Sequence, residues 1–320
     1  MTIIYACDIG GTRIKLALIQ NGRMIARGEL AAEPEAGLAA VFSRVARERP
    51  ALCRAAGVDE REIGGFALAF PGVVEPGTHR ILSAPRGKFD EASRLDVHRL
   101  IRRELDLPAY IVNDANAALA GESMFGAAQG FANVVMMTLG TGIGTAAIMN
   151  GVPLRGKHGL AGNLGGHFTA NPRGAVCPCG NAGCAETEAS TWALAGHAHA
   201  RREFSGSLLA QEPLLDYRAV FDCALRGDDL ATELRNQALD VWAGVVVNLI
   251  HAYDPDRVVI GGGVMNSGTM ILEHVRAYVD RHAWTPWGKV TVVRAELGND
   301  AGLFGVAGLA TLQVFREEGR

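Results

Sequence analysis

Apolar positions along the chain switch between the two-residue period of strands and the 3.6-residue period of helices, and these switches mark out its elements. Residues 3–19 read IIYACDIGGTRIKLALI. Two β-rich runs flank Asp8, Gly10, Gly11 and Thr12, which predicts strand, glycine turn and strand rather than a strand entering a helix. Helical spacing follows over 33–56, with an interruption expected at Pro50, whose ring has no N–H to donate. GFALAFP at 65–71 reads as a buried strand stopped by Pro71 and Gly72. A helix over 92–105 and a short strand over 109–112 come next, and Asn113 and Asp114 stand where that strand hands over to another helix. Residues 133–149, NVVMMTLGTGIGTAAIM, then repeat the opening figure around Gly140, Thr141, Gly142 and Gly144. Helices are expected over 186–204, 213–225 and 230–252. A strand over 257–260 runs into Gly261, Gly262 and Gly263, followed by a helix over 267–281, a strand over 290–294 and a last helix over 299–315.

Gly10 and Gly140 head two similar runs 130 residues apart, which reads as two related α/β units facing one another. A chain of 320 residues is also longer than a single hydrophobic core usually supports. With 48% hydrophobic residues both units can bury a core. The formal net charge is −3 and the basic residues are spread out, so neither nucleic acid nor an anionic membrane is implied as a partner. The apolar run 241–250 is about half a membrane span. The N-terminus enters a β pattern without a basic leader, from which a cytoplasmic location is expected, where thiols stay reduced.

That compartment changes the reading of the cysteines. Cys177, Cys179 and Cys184 fall within eight residues of a stretch rich in Gly, Pro and Asn, HGLAGNLGGHFTANPRGAVCPCGNAGCAETEAS at 158–190. Three thiolates and the imidazole of His167 make a closed tetrahedral zinc set; a redox loop or a local disulfide is the alternative. The glycine turns match neither a P-loop nor a dinucleotide fingerprint. Their exposed N–H groups can hold phosphate, although a plain hairpin needs nothing more. Asp114 is either a helix N-cap or, at the C-terminal end of a strand, a general base. Three adjacent glycines at 261–263 fit a backbone approaching a flat ligand such as adenine, or a simple strand-to-helix turn.

Taken in order, DIGGT, ND at a strand end, LGTGIG, CxCGxxGC and IGGG resemble the ROK family (repressors, open reading frames, kinases) of sugar kinases, over essentially the whole chain. The resemblance implies an α/β fold of two RNase H-like (actin/hexokinase-like ATPase) domains facing a central cleft. It puts the small domain at 1–115, joined by a C-terminal helix at about 299–320, and the larger domain at 116–298 with the zinc loop at 158–190. It also implies ATP, Mg2+ and a structural Zn2+ as cofactors, a sugar as substrate and a homodimer. Asp8, Gly10, Gly11 and Thr12 match the first phosphate motif, with Asp8 close to Mg2+; Gly140, Thr141 and Gly142 match the second, and Gly261, Gly262 and Gly263 the adenosine pocket. Asp114 matches the catalytic base. Asn113, Asn163, His167 and Glu186 match sugar-binding positions, and His167, Cys177, Cys179 and Cys184 the zinc ligands. The repressor branch carries a helix-turn-helix ahead of its first glycine motif, whereas seven residues precede Asp8 here.

One segment departs from the family pattern. AGNLGGH has Asn163 where a glutamate is usual, and one extra residue before His167. An amide both donates and accepts, while a carboxylate only accepts, so substrate identity does not transfer. The expected activity is ATP-dependent phosphorylation of a hexose or hexose derivative at the 6-hydroxyl. A catalytically weak sugar-sensing protein of the same family is the alternative, and an actin-like ATPase acting on protein partners a third.

Overall fold

The computed structural model describes residues 2–84 and 87–318; residues 319 and 320 of the expected C-terminal segment lie outside them. The chain divides into two compact units, 1–130 with 155–161 and 300–320, and 131–154 with 162–299.

In the first unit the elements are β1 (Ile3–Ile9), β2 (Arg13–Gln20), β3 (Arg23–Ala31), α1 (Gly37–Ala56), β4 (Ile63–Phe70), β5 (Val73–Val74), β6 (Ile81–Ser83), α2 (Val97–Leu105), β7 (Ala109–Asn113) and α3 (Asp114–Phe125). The main sheet runs β3-β2-β1-β4-β7, antiparallel through the hairpins and parallel from β1 to β4 to β7. All seven residues of β1 are buried because both faces are covered, as its unbroken apolar run implies. Ile3, Tyr5, Cys7 and Ile9 share a core with Leu38, Val41 and Phe42 of α1 and Ile101 of α2. Ile4 and Ala6 face the other way, onto Leu303 and Val306 of the C-terminal helix.

The second unit repeats the plan with β8 (Val134–Leu139), β9 (Ile143–Met149), β10 (Val152–Pro153), α4 (Ala185–Ala189), α5 (Thr191–His199), α6 (Tyr217–Leu225), α7 (Asp229–Tyr253), β11 (Arg257–Gly261), α8 (Met270–His282) and β12 (Thr291–Arg294). Its sheet runs β10-β9-β8-β11-β12, again antiparallel in the hairpins and parallel from β8 to β11 to β12. The two sheets share one topology, and each opens on the glycine hairpin that the sequence predicts. The last helix, α9 (Ala301–Glu318), belongs to the first unit.

Three expectations are corrected. Helix α1 passes through Pro50 without a break: Val41, Phe42, Val45, Leu52 and Cys53 are buried on both sides of it, and that packing outweighs one missing hydrogen bond. The expected helix 186–204 is broken at Ser190, which is extended at φ −89 and ψ 161. Trp242 Nε1 donates to Ala189 O at 2.9 Å, so a carbonyl at the end of α4 is satisfied from outside the helix. Finally, the first unit extends past residue 115 to Gly130. Helix α3 lies backbone to backbone on α9: a Cβ added to Gly121 would sit 2.2 Å from Ala301 O, and one on Gly305 1.7 Å from Ala117 O. Among the described residues no helix is long and apolar enough to cross a membrane.

Candidate active site

Asp8 lies at the end of β1 directly opposite Lys15 of β2, and Lys15 Nζ donates to Asp8 Oδ2 at 3.0 Å. The turn between them is closed by Gly10 N–H donating to Arg13 O at 2.9 Å, and Lys88 Nζ donates to Gly11 O at 3.2 Å. Gly302, at the start of α9, makes room for the Asp8 carboxylate, since an added Cβ would sit 3.0 Å from Oδ2. Two lysines thus accompany the first glycine turn, neither singled out by the sequence motif. Lys15 had a signal: in a hairpin centred on Gly11 and Thr12, positions 8 and 15 are cross-strand partners. Lys88 comes from a distant loop and had none.

The same unit carries the strand-end pair. The cap of α3 is Asn113, whose Oδ1 accepts from Asn116 N–H at 3.1 Å; Asp114 is thereby relieved of the capping role it could have had. Asn113 Nδ2 donates to Gly72 O at 2.9 Å and to Asp114 Oδ1 at 3.0 Å, and Asp114 Oδ1 also accepts from Ala115 N–H at 2.8 Å. These contacts orient the carboxyl through one oxygen. Desolvation at this recessed position, helped by the negative charge of Asp8, pushes Asp114 up to about 7. A half-buried carboxylate that titrates near neutrality is matched to taking and returning a proton.

In the second unit the turn from Gly140 to Gly142 is closed by Gly140 N–H donating to Gly142 O at 3.0 Å. Glu186, second residue of α4, lies against it: its Oε2 accepts from Ile143 N–H at 3.2 Å, and its Oε1 from Trp192 Nε1 at 3.2 Å. The glycine triplet closes β11. Gly262 has φ +93 and faces Leu139 O, 2.2 Å from where a Cβ would be, so the fold itself demands a glycine there. Nothing lies within 4 Å of a Cβ on Gly263. Gly261, Gly262, Met265, Asn266 and Arg294 line a cavity of about 120 Å³, and Arg294 Nη2 donates to Asn266 Oδ1 at 2.5 Å.

His167, Cys177, Cys179 and Cys184 converge in the same unit, with all four ligand atoms within 4.8 Å of one another. His167 Nδ1 is 3.6 Å from Cys177 Sγ, and Cys179 Sγ 3.6 Å from Cys184 Sγ. A tetrahedron with metal–sulfur bonds of about 2.3 Å has edges of about 3.8 Å, so the donor set fits a four-coordinate zinc. Burial, with Cys179 and Cys177 beside it, pushes Cys184 up to about 12, whereas the Asn181 backbone N–H holds Cys179 below the usual thiol range. Three clustered thiols cannot all ionise without a cation among them. The loop is shaped for this convergence: Gly183 has φ +61 and abuts Asn171 O, and Gly180 has φ +97.

Asn163 stands on the same loop and donates through Nδ2 to Thr145 O of β9 at 3.1 Å. Thr145 is fully buried; its hydroxyl donates to Gly162 O at 2.6 Å and accepts from Gly165 N–H at 2.8 Å. Thr145 therefore pins both sides of Asn163, a role that nothing in the motif marks.

The sequence profile described as ROK family matches residues 4–313. A glucokinase from Halalkalibacterium halodurans is 32% identical over 306 residues, 93% of this chain and 92% of the relative. An N-acetylmannosamine kinase from Haemophilus influenzae is 29% identical over 304 residues, 94% of this chain and 93% of the relative. Among solved structures, a ROK family glucokinase from Streptomyces griseus in complex with glucose and AMPPNP superposes with a TM-score of 0.80 at 29% identity, covering 97% of this chain and 99% of that one.

Proposed function

The chain belongs to the ROK family, and we propose that this ATP-dependent sugar kinase phosphorylates a hexose or hexose derivative at its 6-hydroxyl, with Asp114 as general base. The observation that carries the reading is Asp114 itself: a carboxyl at the end of β7, freed from capping by Asn113 and titrating near neutrality. Glucokinase and N-acetylmannosamine kinase relatives support the substrate class.

ATP with Mg2+ supplies the phosphoryl group and the neutralising charge when bound. Asp114 takes the proton of the attacking hydroxyl, which sharpens its oxygen as a nucleophile. Asn113 fixes Asp114 through Oδ1 and adds a contact to the sugar. Asp8, balanced by Lys15, is the carboxylate for the metal side of the nucleotide. Gly10, Gly11, Thr12 and the turn of Gly140, Thr141 and Gly142 offer backbone N–H groups to the phosphates, and Gly261, Gly262 and Gly263 border the adenosine. Asn163, His167 and Glu186 hold sugar hydroxyls. His167, Cys177, Cys179 and Cys184 would hold a structural zinc as a full four-ligand set, and it would fix the loop carrying Asn163 to the start of α4 carrying Glu186.

A coupled ADP-release assay over hexoses and N-acetylhexosamines tests the reaction, with phosphorus–proton NMR of the product locating the phosphate. Sugar-dependent release and coupling to the C6 methylene are expected; sugar-independent hydrolysis, or a phosphate on the anomeric oxygen, overturns the reading. Asn163 favours one second reading, a sugar-sensing protein with weak transfer, which sugar binding without ADP release would select.

A further inference from the structure

Trp192 is the second residue of α5, yet 42% of its surface is exposed, so packing does not account for it. Two hydrogen bonds do. Its main-chain N–H donates to Thr141 O at 3.1 Å, giving an otherwise orphaned helix N-terminal amide a partner in the glycine turn. Its indole N–H donates to Glu186 Oε1 at 3.2 Å. Glu186 Oε2 in turn accepts from Ile143 N–H at 3.2 Å, just beyond that turn. The ring is closed: from the turn to Glu186, from Glu186 to Trp192, and from Trp192 back to the turn. Gly142 leaves the carboxylate its place, because a Cβ there would sit 3.1 Å from Glu186 Oε2. The break at Ser190 brings the indole within reach, and a continuous helix over 186–204 would have carried it away.

We infer that Trp192 is a positioning residue that clamps Glu186 to the Gly140–Gly142 turn, coupling sugar affinity to nucleotide affinity through one carboxylate. The inference rests on Glu186 being a sugar ligand and the turn a phosphate cradle. Each Glu186 oxygen accepts one protein hydrogen bond and keeps lone-pair capacity for a sugar hydroxyl. A hydroxyl that draws on this carboxylate alters its hold on the Ile143 amide, and so the set of the turn. A phosphate that orders the turn likewise orders Glu186, and the two effects are equal because linkage is reciprocal.

The test is calorimetric titration of glucose, and separately of N-acetylmannosamine, with and without AMPPNP and Mg2+. It compares the wild-type protein, Trp192→Phe, which keeps an aromatic side chain but loses the indole donor, and Glu186→Gln. The wild type should bind the sugar at least about fivefold more tightly when the nucleotide analogue is present. In Trp192→Phe the sugar Kd should rise about fivefold, as expected for one charge-assisted hydrogen bond at a part-exposed site, the coupling should fall to within twofold of unity, and kcat should stay within twofold. Trp192→Phe with wild-type Kd and coupling, beside a Glu186→Gln protein that has lost sugar affinity, overturns the inference and leaves the sugar role of Glu186 standing. A Glu186→Gln protein with unchanged sugar affinity overturns both. The wild type offers a measurement that needs no variant: amide hydrogen exchange over residues 140–144 should slow when the sugar alone is bound, and unchanged exchange there overturns the inference.

Discussion

Replacing Asp114 by Asn should remove most of the activity while making the protein more stable at alkaline pH. In the folded chain desolvation, then the charge of Asp8, moves the carboxyl from its ordinary 3.8 up to about 7. Between those two pH values an unfolded chain has released this proton and the folded chain still holds it. The folded wild type therefore loses stability as pH rises through that window, and the loss is complete above about pH 7. A displacement of about three pH units corresponds to at most about 4 kcal/mol; because Asp114 is only half-buried, about 1–3 kcal/mol is the working expectation. Asparagine keeps the shape and an oxygen for the bonds from Asn113 and Ala115, but has no proton to lose. Urea titrations without nucleotide or metal at pH 5, 7 and 8 should show Asp114→Asn gaining on the wild type as pH rises. All four tryptophans, Trp192, Trp242, Trp284 and Trp287, lie in the second unit, so the first unit must be followed by circular dichroism. Turnover should fall ~10²–10⁴-fold, and wild-type kcat should rise as pH passes through about 7. Near-normal turnover in Asp114→Asn would remove the base from Asp114, and a stability difference that does not grow with pH would show that no buried charge is at stake.

The zinc loop and the helix pair give two further predictions. Metal analysis should find one zinc per chain, and stripping it with a chelator should weaken sugar binding before nucleotide binding, because Asn163 and Glu186 flank the ligand set on either side; equal sugar affinity in zinc-free protein refutes that role. Gly305→Ala would drive a Cβ to 1.7 Å from Ala117 O, forcing α3 and α9 apart, and should destabilise the first unit by about 2–4 kcal/mol by overpacking. An unchanged urea midpoint would show that the two helices can separate freely.

The two hairpins were legible because each combines a β-period with a glycine turn, and the repeat at 130 residues predicted two sheets that now share one topology. What failed to show in the sequence was mostly decided by contacts between distant segments. Strand β3 has only exposed and half-buried positions and no fully buried residue, so it gave no apolar signal. Pro50 was overruled by the core on either side of it. The break at Ser190 depends on Trp242 and Thr141, far away in sequence, and the extent of the first unit on glycines in α3 and α9 that are unremarkable until the helices meet.

The stretch from His158 to Ser190 shows how far reading and meaning can separate. Its departure from the family pattern was plain in the sequence, but not what the departure does. Gly165 and Gly166, just before His167, press on β9, with added Cβ atoms falling 2.6 Å from Thr145 Cγ2 and 2.1 Å from Ile143 O. His167 reaches Cys177 at 3.6 Å. Asn163 donates to a carbonyl of the same strand, an arrangement closed to glutamate, whose carboxylate has no hydrogen to give and would face the Thr145 oxygen as one acceptor against another. The asparagine, the glycine pair and buried Thr145 thus form one unit. Replacing Asn163 by Glu alone is expected to break that unit, read as a loss of thermal stability in the second unit; unchanged stability would show that the Asn163–Thr145 bond holds nothing.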